Sequence, residues 1–147
     1  MRFLCIPLLI CMALSALAND QPAPLIEVTR IYTGDDKLTH FADGAVALSM
    51  KDFAPPTAPI AVSTPLPAKA LTFLAMPSGW FGDWHPAPAK QYVIVLQGTF
   101  EIETGDGEKR IVKAGSTLLV EDIDGKGHRT RVVSEEALIA AIVPVRE

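Results

Sequence analysis

Apolar and polar residues alternate with a period of two along much of the chain, and turns interrupt the alternation at short intervals. In the segment TFEIET, Phe100 and Ile102 alternate with glutamates, which is the pattern of a strand with one buried face. The segment that follows, GDGEK, is typical of a hairpin turn. Strands are predicted over residues 24–33, 44–50, 69–76, 91–98, 99–104, 110–115, 116–122, 128–133 and 137–145.

Five prolines in residues 54–67 separate the first two predicted strands from the others. Because proline cannot donate a hydrogen bond to a strand ladder, this segment is expected to be a loop or a sheet edge with extended backbone. The strands that precede it are too few to form a separate domain, so a single domain is predicted. Many short strands joined by glycine turns, with no long amphipathic helix, predict an all-β barrel or sandwich.

The N-terminal residues have the pattern of a secretory signal. Arg2 is followed by a short apolar run and then by Ala-Leu-Ala at residues 16–18, which matches the charged, apolar and cleavage regions of such a signal. The run is short for a permanent membrane span, although retention as an N-terminal anchor stays open as the alternative. We expect residues 1–18 to be removed from an exported protein, periplasmic or extracellular. Residues 19–67 are expected to form the N-terminal strands and the loop, and residues 68–147 the barrel core.

Cysteine and charge content narrow the classes of function. Both cysteines, Cys5 and Cys11, lie inside the predicted signal, so the mature chain has no thiol for a disulfide, a thiolate metal ligand or a covalent intermediate. The net charge of −4 argues against a nucleic-acid partner, which normally needs a basic surface. No second long apolar segment follows the signal, so no membrane partner is expected after cleavage.

A histidine motif occurs just ahead of the most apolar strand. The pattern G-x5-H-x-A-x3-Q-x6-G runs from Gly79 to Gly98, with His85, Ala87 and Gln91 at the positions between them. Its spacing resembles the first motif of the cupin superfamily. In that family a second histidine stands where Ala87 stands here, and a glutamate stands where Gln91 stands.

A second motif follows about thirty residues later and contains another histidine. Gly125 and His128 keep the G-x2-H step of the second cupin motif. Ile123 and Val132 replace the proline and the asparagine of that motif, and the segment that begins at Gly115 is two residues longer than the family pattern.

The resemblance covers residues 68–145 and implies the cupin double-stranded β-helix, a jelly-roll barrel. It also implies a divalent metal such as iron, manganese, nickel or zinc, held by three imidazoles and a carboxylate. Carried over to this chain, His85, Gln91 and His128 are the metal-site residues, and Ala87 supplies no ligand. Two neutral imidazoles and an amide leave the charge of a divalent ion uncompensated, so any metal is expected to be weakly held.

Three large aromatic residues, Trp80, Phe81 and Trp84, lie immediately before His85. They are candidate substrate-binding residues, because aromatic rings commonly line pockets for apolar or planar ligands. The alternative is that the segment is a loop that packs its own rings on the end of the barrel.

Other polar residues near the motifs have less specific interpretations. Glu121, Asp122 and Asp124 precede the GKGH turn, where they are either hydrogen-bond acceptors for His128 or part of a polar turn, and the turn is the favoured interpretation. His40 is the remaining histidine, and no sequence feature places it near the barrel interior.

Three functions remain open. The first is a secreted cupin-fold protein that binds a small molecule in the barrel, with at most a weakly held metal. The second is a divalent-metal-dependent enzyme, an oxygenase or an isomerase, that uses His85, Gln91 and His128. The third is a structural protein that pairs with a second copy as a homodimer. Whether the protein is an enzyme is left open by the sequence.

Overall fold

Twelve β-strands are present in residues 24–146, the part of the chain that the computed structural model describes. Within this part, no helix is long and apolar enough to cross a membrane. The predicted secretory signal at residues 1–18 lies outside the described residues. The strands are β1 (Leu25–Thr33), β2 (Thr39–Ala47), β3 (Ser49–Lys51), β4 (Ile60–Val62), β5 (Thr72–Met76), β6 (Phe81–His85), β7 (Gln91–Gln97), β8 (Thr99–Glu103), β9 (Lys109–Lys113), β10 (Thr117–Val120), β11 (His128–Val132) and β12 (Leu138–Pro144).

The strands form two facing sheets. One sheet has six strands in the order β2-β1-β10-β7-β12-β5, and the other has four in the order β6-β11-β8-β9. A separate hairpin joins β3 to β4. All strand pairs are antiparallel except β1 with β10, which are parallel. The predicted all-β class and jelly-roll barrel are confirmed, and β1 and β2 belong to the same sheet as the later barrel strands.

The core lies between the two sheets and consists of the inward-facing residues of each strand. On β8 the predicted alternation is confirmed, since Phe100 and Ile102 are buried. Ile31, Leu118 and Leu138 face them from the six-stranded sheet and are almost completely buried. Each such side chain contributes about 1.5–3 kcal/mol when it is fully removed from water.

Two parts of the predicted strand pattern differ from the structure. The strand expected over 44–50 is confirmed at 44–47 and 49–50, but it begins earlier, at Thr39, where β2 pairs with β1, and it is interrupted at Leu48 before β3. Strand β6 lies where no strand is predicted, because its residues do not alternate between apolar and polar. The proline-rich segment 54–67 is mostly loop and contains the short strand β4 at its centre.

A close contact between backbones joins β6 to the start of β11. Gly127, directly before β11, has a φ of 76°. A Cβ atom at this position would lie 2.0 Å from the carbonyl oxygen of His85. Only glycine fits here, because the position demands both a left-handed backbone and the absence of a side chain. The contact holds His85 and the residue after Gly127, His128, at the same end of the barrel.

We expect Gly127→Ala to destabilise the protein much more than Gly107→Ala. Gly107 also has a positive φ, 90°, but a Cβ atom at that position would have no other atom within 4 Å. The control variant therefore measures the conformational penalty alone, about 1–2 kcal/mol. Gly127→Ala should cost at least about 2 kcal/mol more in free energy of unfolding, measured by urea denaturation. Equal losses for the two variants would contradict the importance of this contact.

His40, the histidine with no predicted site, links two turns on the protein surface. Its Nδ1 atom lies 2.7 Å from Oδ2 of Asp106, in the β8–β9 turn, and its Nε2 atom lies 3.0 Å from Oδ2 of Asp36, in the β1–β2 turn. The hydrogen bond to Asp36 raises the pKa of His40 above its ordinary value, burial opposes this increase less strongly, and the hydrogen bond to Asp106 adds to it. The pKa of Asp36 is lowered, first by its hydrogen bond with His40.

The stability that His40 contributes should therefore depend on pH. Because its pKa is higher in the folded state, this contribution is complete below the unfolded-state value of about 6.5 and is lost as the pH rises through the folded-state pKa. Comparison of wild type with His40→Gln by chemical denaturation should show a larger difference in free energy of unfolding at about pH 5.5 than at about pH 8.5. A difference that grows with pH in this range would refute the assigned ion pairs.

Candidate functional site

An internal cavity of about 350 Å³ lies between the two sheets. Its wall is mainly apolar and includes Ile31, Leu118 and Phe100. The polar side chains that reach it are those of His85, Gln91, Thr130 and His128. An apolar cavity with a few polar groups on its wall is typical of a small-molecule site.

His85 and His128 are brought together by strand pairing. They lie directly opposite each other on the antiparallel strands β6 and β11, and residues in such positions point to the same face of a sheet. Their ring centroids are 4.8 Å apart, and the ring planes are inclined by 52°. His85 is exposed at the mouth of the cavity, whereas His128 is buried. The structure thus places two of the three predicted metal-site residues side by side, and the third, Gln91, lines the same cavity.

The direction of the β6 side chains is set by a β-bulge. Gly82 is opposite Thr130, and His85 is opposite His128, with a shift of register between these two pairs. The extra residue of the bulge allows Gly82 and His85 to face the cavity together. Trp84, inside the bulge, therefore points to the outer face of the sheet.

Only one of the three predicted aromatic residues lines the cavity. Trp80 forms part of the cavity wall. Phe81 lies in a groove on the outer face of the four-stranded sheet. Trp84 lies outside as well, with Nζ of Lys126 3.6 Å and the guanidinium carbon of Arg129 5.0 Å from its ring centroid, as in cation–π pairs. The sequence could not separate these orientations, because the bulge changes the alternation between Phe81 and Trp84.

The Nδ1 atoms of both cavity histidines are engaged in hydrogen bonds. Nδ1 of His85 lies 2.6 Å from the carbonyl oxygen of Asp83. Since a carbonyl oxygen can only accept, His85 donates this bond. Nδ1 of His128 lies 2.7 Å from Oδ2 of Asp122. In the neutral form of each ring, Nε2 is then an unprotonated acceptor.

Asp122 belongs to the site, so the interpretation favoured from the sequence, that it is part of a polar turn, is wrong. It is completely buried, and its carboxylate orients His128 instead of lying in a solvated turn. Its second oxygen, Oδ1, is buried without a hydrogen-bond partner among the described residues. The signal for this role is present in the alternation, because Leu118 and Val120 face inward on β10 and residue 122 continues the series.

The two other acidic residues of this segment, Glu121 and Asp124, have partners different from that of Asp122. Glu121 forms salt bridges with Arg30 and Lys90. Burial alone would raise the pKa of Glu121, but the bonds from Lys90 and Arg30 outweigh burial and hold its pKa below the usual range. The side chain of Asp124 has no assigned role, and its carbonyl oxygen accepts a bond from Thr33.

The donors around the cavity do not fit the metal that the family resemblance implies. Ala87 is buried in the cavity wall and brings no donor, and Gln91, also in the wall, brings no charge. Asp122 occupies the Nδ1 side of His128, away from the free Nε2. Within residues 24–146 no group of three or more His, Cys, Asp or Glu side chains is placed to hold a metal ion. Two imidazoles and an amide fall short of a resident site for a divalent ion.

Comparisons with known proteins find several solved structures at low sequence identity. The Cnp3 cupin domain of Schizosaccharomyces pombe is 12% identical, with a TM-score of 0.43 over 82% of this chain and 88% of that one. KdgF from Halomonas sp. is 22% identical, with a TM-score of 0.36 over 78% and 95% of the two chains. The conserved SPY1581 protein of unknown function from Streptococcus pyogenes is 23% identical, with a TM-score of 0.39 over 52% of this chain and 64% of that chain. This chain thus matches less than two thirds of the length of the S. pyogenes protein. No curated protein matches the sequence.

A family model described as a cupin domain matches residues 72–144. This segment begins with β5 and ends with β12, and it contains both histidines and the glutamine of the cavity. The jelly-roll topology, the two motif histidines and this match agree, and the chain belongs to the cupin superfamily.

Proposed function

We propose that this cupin barrel binds one small organic molecule, held by its two histidines without a resident metal ion. The observation that carries the proposal is the pair His85 and His128, whose rings meet at 4.8 Å in an otherwise apolar cavity. The volume of about 350 Å³ lies at the lower end of the range for ligand pockets. The predicted signal at residues 1–18 supports a place outside the cytoplasm for this binding.

The hydrogen bonds of the site favour a ligand that donates. Because the carbonyl oxygen of Asp83 and the carboxylate of Asp122 accept hydrogen bonds from the Nδ1–H groups of His85 and His128, the neutral rings offer two Nε2 acceptors to the cavity. A hydroxyl or amine group on the ligand satisfies one of them. The apolar remainder of the cavity favours a hydrocarbon or aromatic body on the same molecule.

Phenol and anisole test the donor requirement, because they share one ring and differ in the hydroxyl hydrogen. By isothermal titration calorimetry, wild type should bind phenol about three- to tenfold more tightly than anisole, the worth of one net hydrogen bond. His85→Ala, at the exposed side of the site, should reduce this preference. His40→Ala, far from the cavity wall, should leave it unchanged. Equal affinities of wild type for the two compounds would refute the donor requirement, and failure of both to bind would count against a small-molecule site.

Metal content tests the absence of a resident ion. After incubation with iron, manganese, nickel and zinc followed by gel filtration, wild type should retain less than about a tenth of an ion per chain, because its donors are few and uncharged. The double variant Ala87→His, Gln91→Glu restores the family donors on cavity-facing positions and should retain close to one ion. Adding His85→Ala to that variant should abolish retention. Near-stoichiometric metal in wild type, lost on His85→Ala, would overturn the proposal.

A further inference from the structure

We propose that the ligand of this cavity carries a flat ring that stacks on Trp80, and that the pair Trp80 and Gly82 selects it. The inference rests on the proposed function, since it names the class of molecule that the same cavity takes.

Gly82 is required to make room for the Trp80 indole. Its partner on β11, Thr130, lines the cavity, so Gly82 faces the cavity too. A Cβ atom on residue 82 would lie 2.4 Å from Cη2 and 2.9 Å from Cζ3 of Trp80. Gly82 does not have the positive φ that its neighbour Gly79 has, 74°. The glycine is therefore explained by space, because the end of the indole lies where a side chain would begin.

Trp80 is held by its backbone and remains partly uncovered. Its N–H donates to the carbonyl oxygen of Pro77 at 3.0 Å, and its carbonyl oxygen accepts from the N–H of Val132 at 2.9 Å. The residue is 36% exposed and forms part of the cavity wall. A fixed backbone with an uncovered aromatic ring is a suitable platform for a planar molecule.

The end of the Trp80 indole lies beside Gly82, and the strand position of Gly82 is close to that of the histidines. Gly82 is opposite Thr130, and His85 is opposite His128, which lies two residues before Thr130 on β11. Two residues of a strand span about 7 Å, which is close to the length of a six-membered ring with one hydroxyl group. A ring stacked on Trp80 can thus present its hydroxyl to the Nε2 atoms.

Phenol and cyclohexanol separate stacking from hydrogen bonding, because both have a six-membered ring and a hydroxyl but only phenol is flat. We expect wild type to prefer phenol in calorimetric titrations, and Trp80→Ala to reduce the phenol-to-cyclohexanol affinity ratio about two- to tenfold. Trp84→Ala, which removes an indole from the outer face, is the matched control and should keep the wild-type ratio.

Gly82→Ala is a second test, in which the tryptophan is retained but its indole is moved. The added methyl group should displace the indole from the strand and lower the phenol-to-cyclohexanol affinity ratio. Adding Trp80→Phe to this variant should restore part of the ratio, because the shorter ring does not reach the methyl group. The chain has two tryptophans, so in Trp84→Phe protein the tryptophan fluorescence, excited selectively over that of tyrosine, comes from Trp80 alone. Phenol should protect that fluorescence from acrylamide quenching.

The outcomes distinguish this inference from the proposed function. One outcome is that the phenol-to-cyclohexanol affinity ratio is the same in wild type, Trp80→Ala and Gly82→Ala, while His85→Ala still weakens phenol binding. In that case Trp80 is not the platform and the proposed function stands. If wild type binds neither phenol nor cyclohexanol, the proposed function fails and this inference fails with it.

Discussion

The pairing of β6 with β11 is the constraint on which the site depends. The two motif histidines are far apart in sequence, and they meet because His85 and His128 occupy opposite positions on these strands. The register is kept by a backbone contact so close that Gly127 has no room for a Cβ atom beside the His85 carbonyl. A shift of β6 by one residue against β11 would turn His85 to the outer face and leave His128 inside, because side chains alternate along a strand. The bulge and the approach of the two imidazoles both belong to this pairing.

The acidic group of the site, the carboxylate of Asp122, contacts Nδ1 of His128 and does not line the cavity. Where the family motif has a glutamate, this chain has the neutral Gln91, yet the buried carboxylate of Asp122 is bound to Nδ1 of His128. From that position a carboxylate orients the ring and favours the tautomer with a free Nε2. It does so without adding a charged oxygen to the space that a ligand would occupy. The site is thereby suited to hydrogen bonding more than to coordination.

Spacing and alternation made much of this arrangement predictable. The resemblance of the two motifs to those of cupins implied that His85 and His128 would share a site, and the alternation along β8 predicted the buried Phe100 and Ile102. The orientations of Phe81 and Trp84 were not predictable, because a bulge has no signature in a single sequence and reverses the parity of the residues after it. For Asp122 the sequence allows both a bond to His128 and a polar turn, and the turn is favoured because acidic residues beside glycines usually belong to solvated turns. Only its parity with the buried residues of β10 indicated otherwise.

The parallel pair of β1 and β10, the one such pair among the strands of residues 24–146, constrains the order in which the barrel can be completed. Strand β1 lies beside β10, and the bond from Arg30 to Glu121 spans 91 positions of sequence. Contacts with such separation raise the relative contact order and slow folding. Until β10 is available, β1 and its hairpin partner β2 have an unpaired edge that can associate with other chains. Strand β1 can therefore take its place in the six-stranded sheet only after β10, which comes much later in the chain, has been positioned.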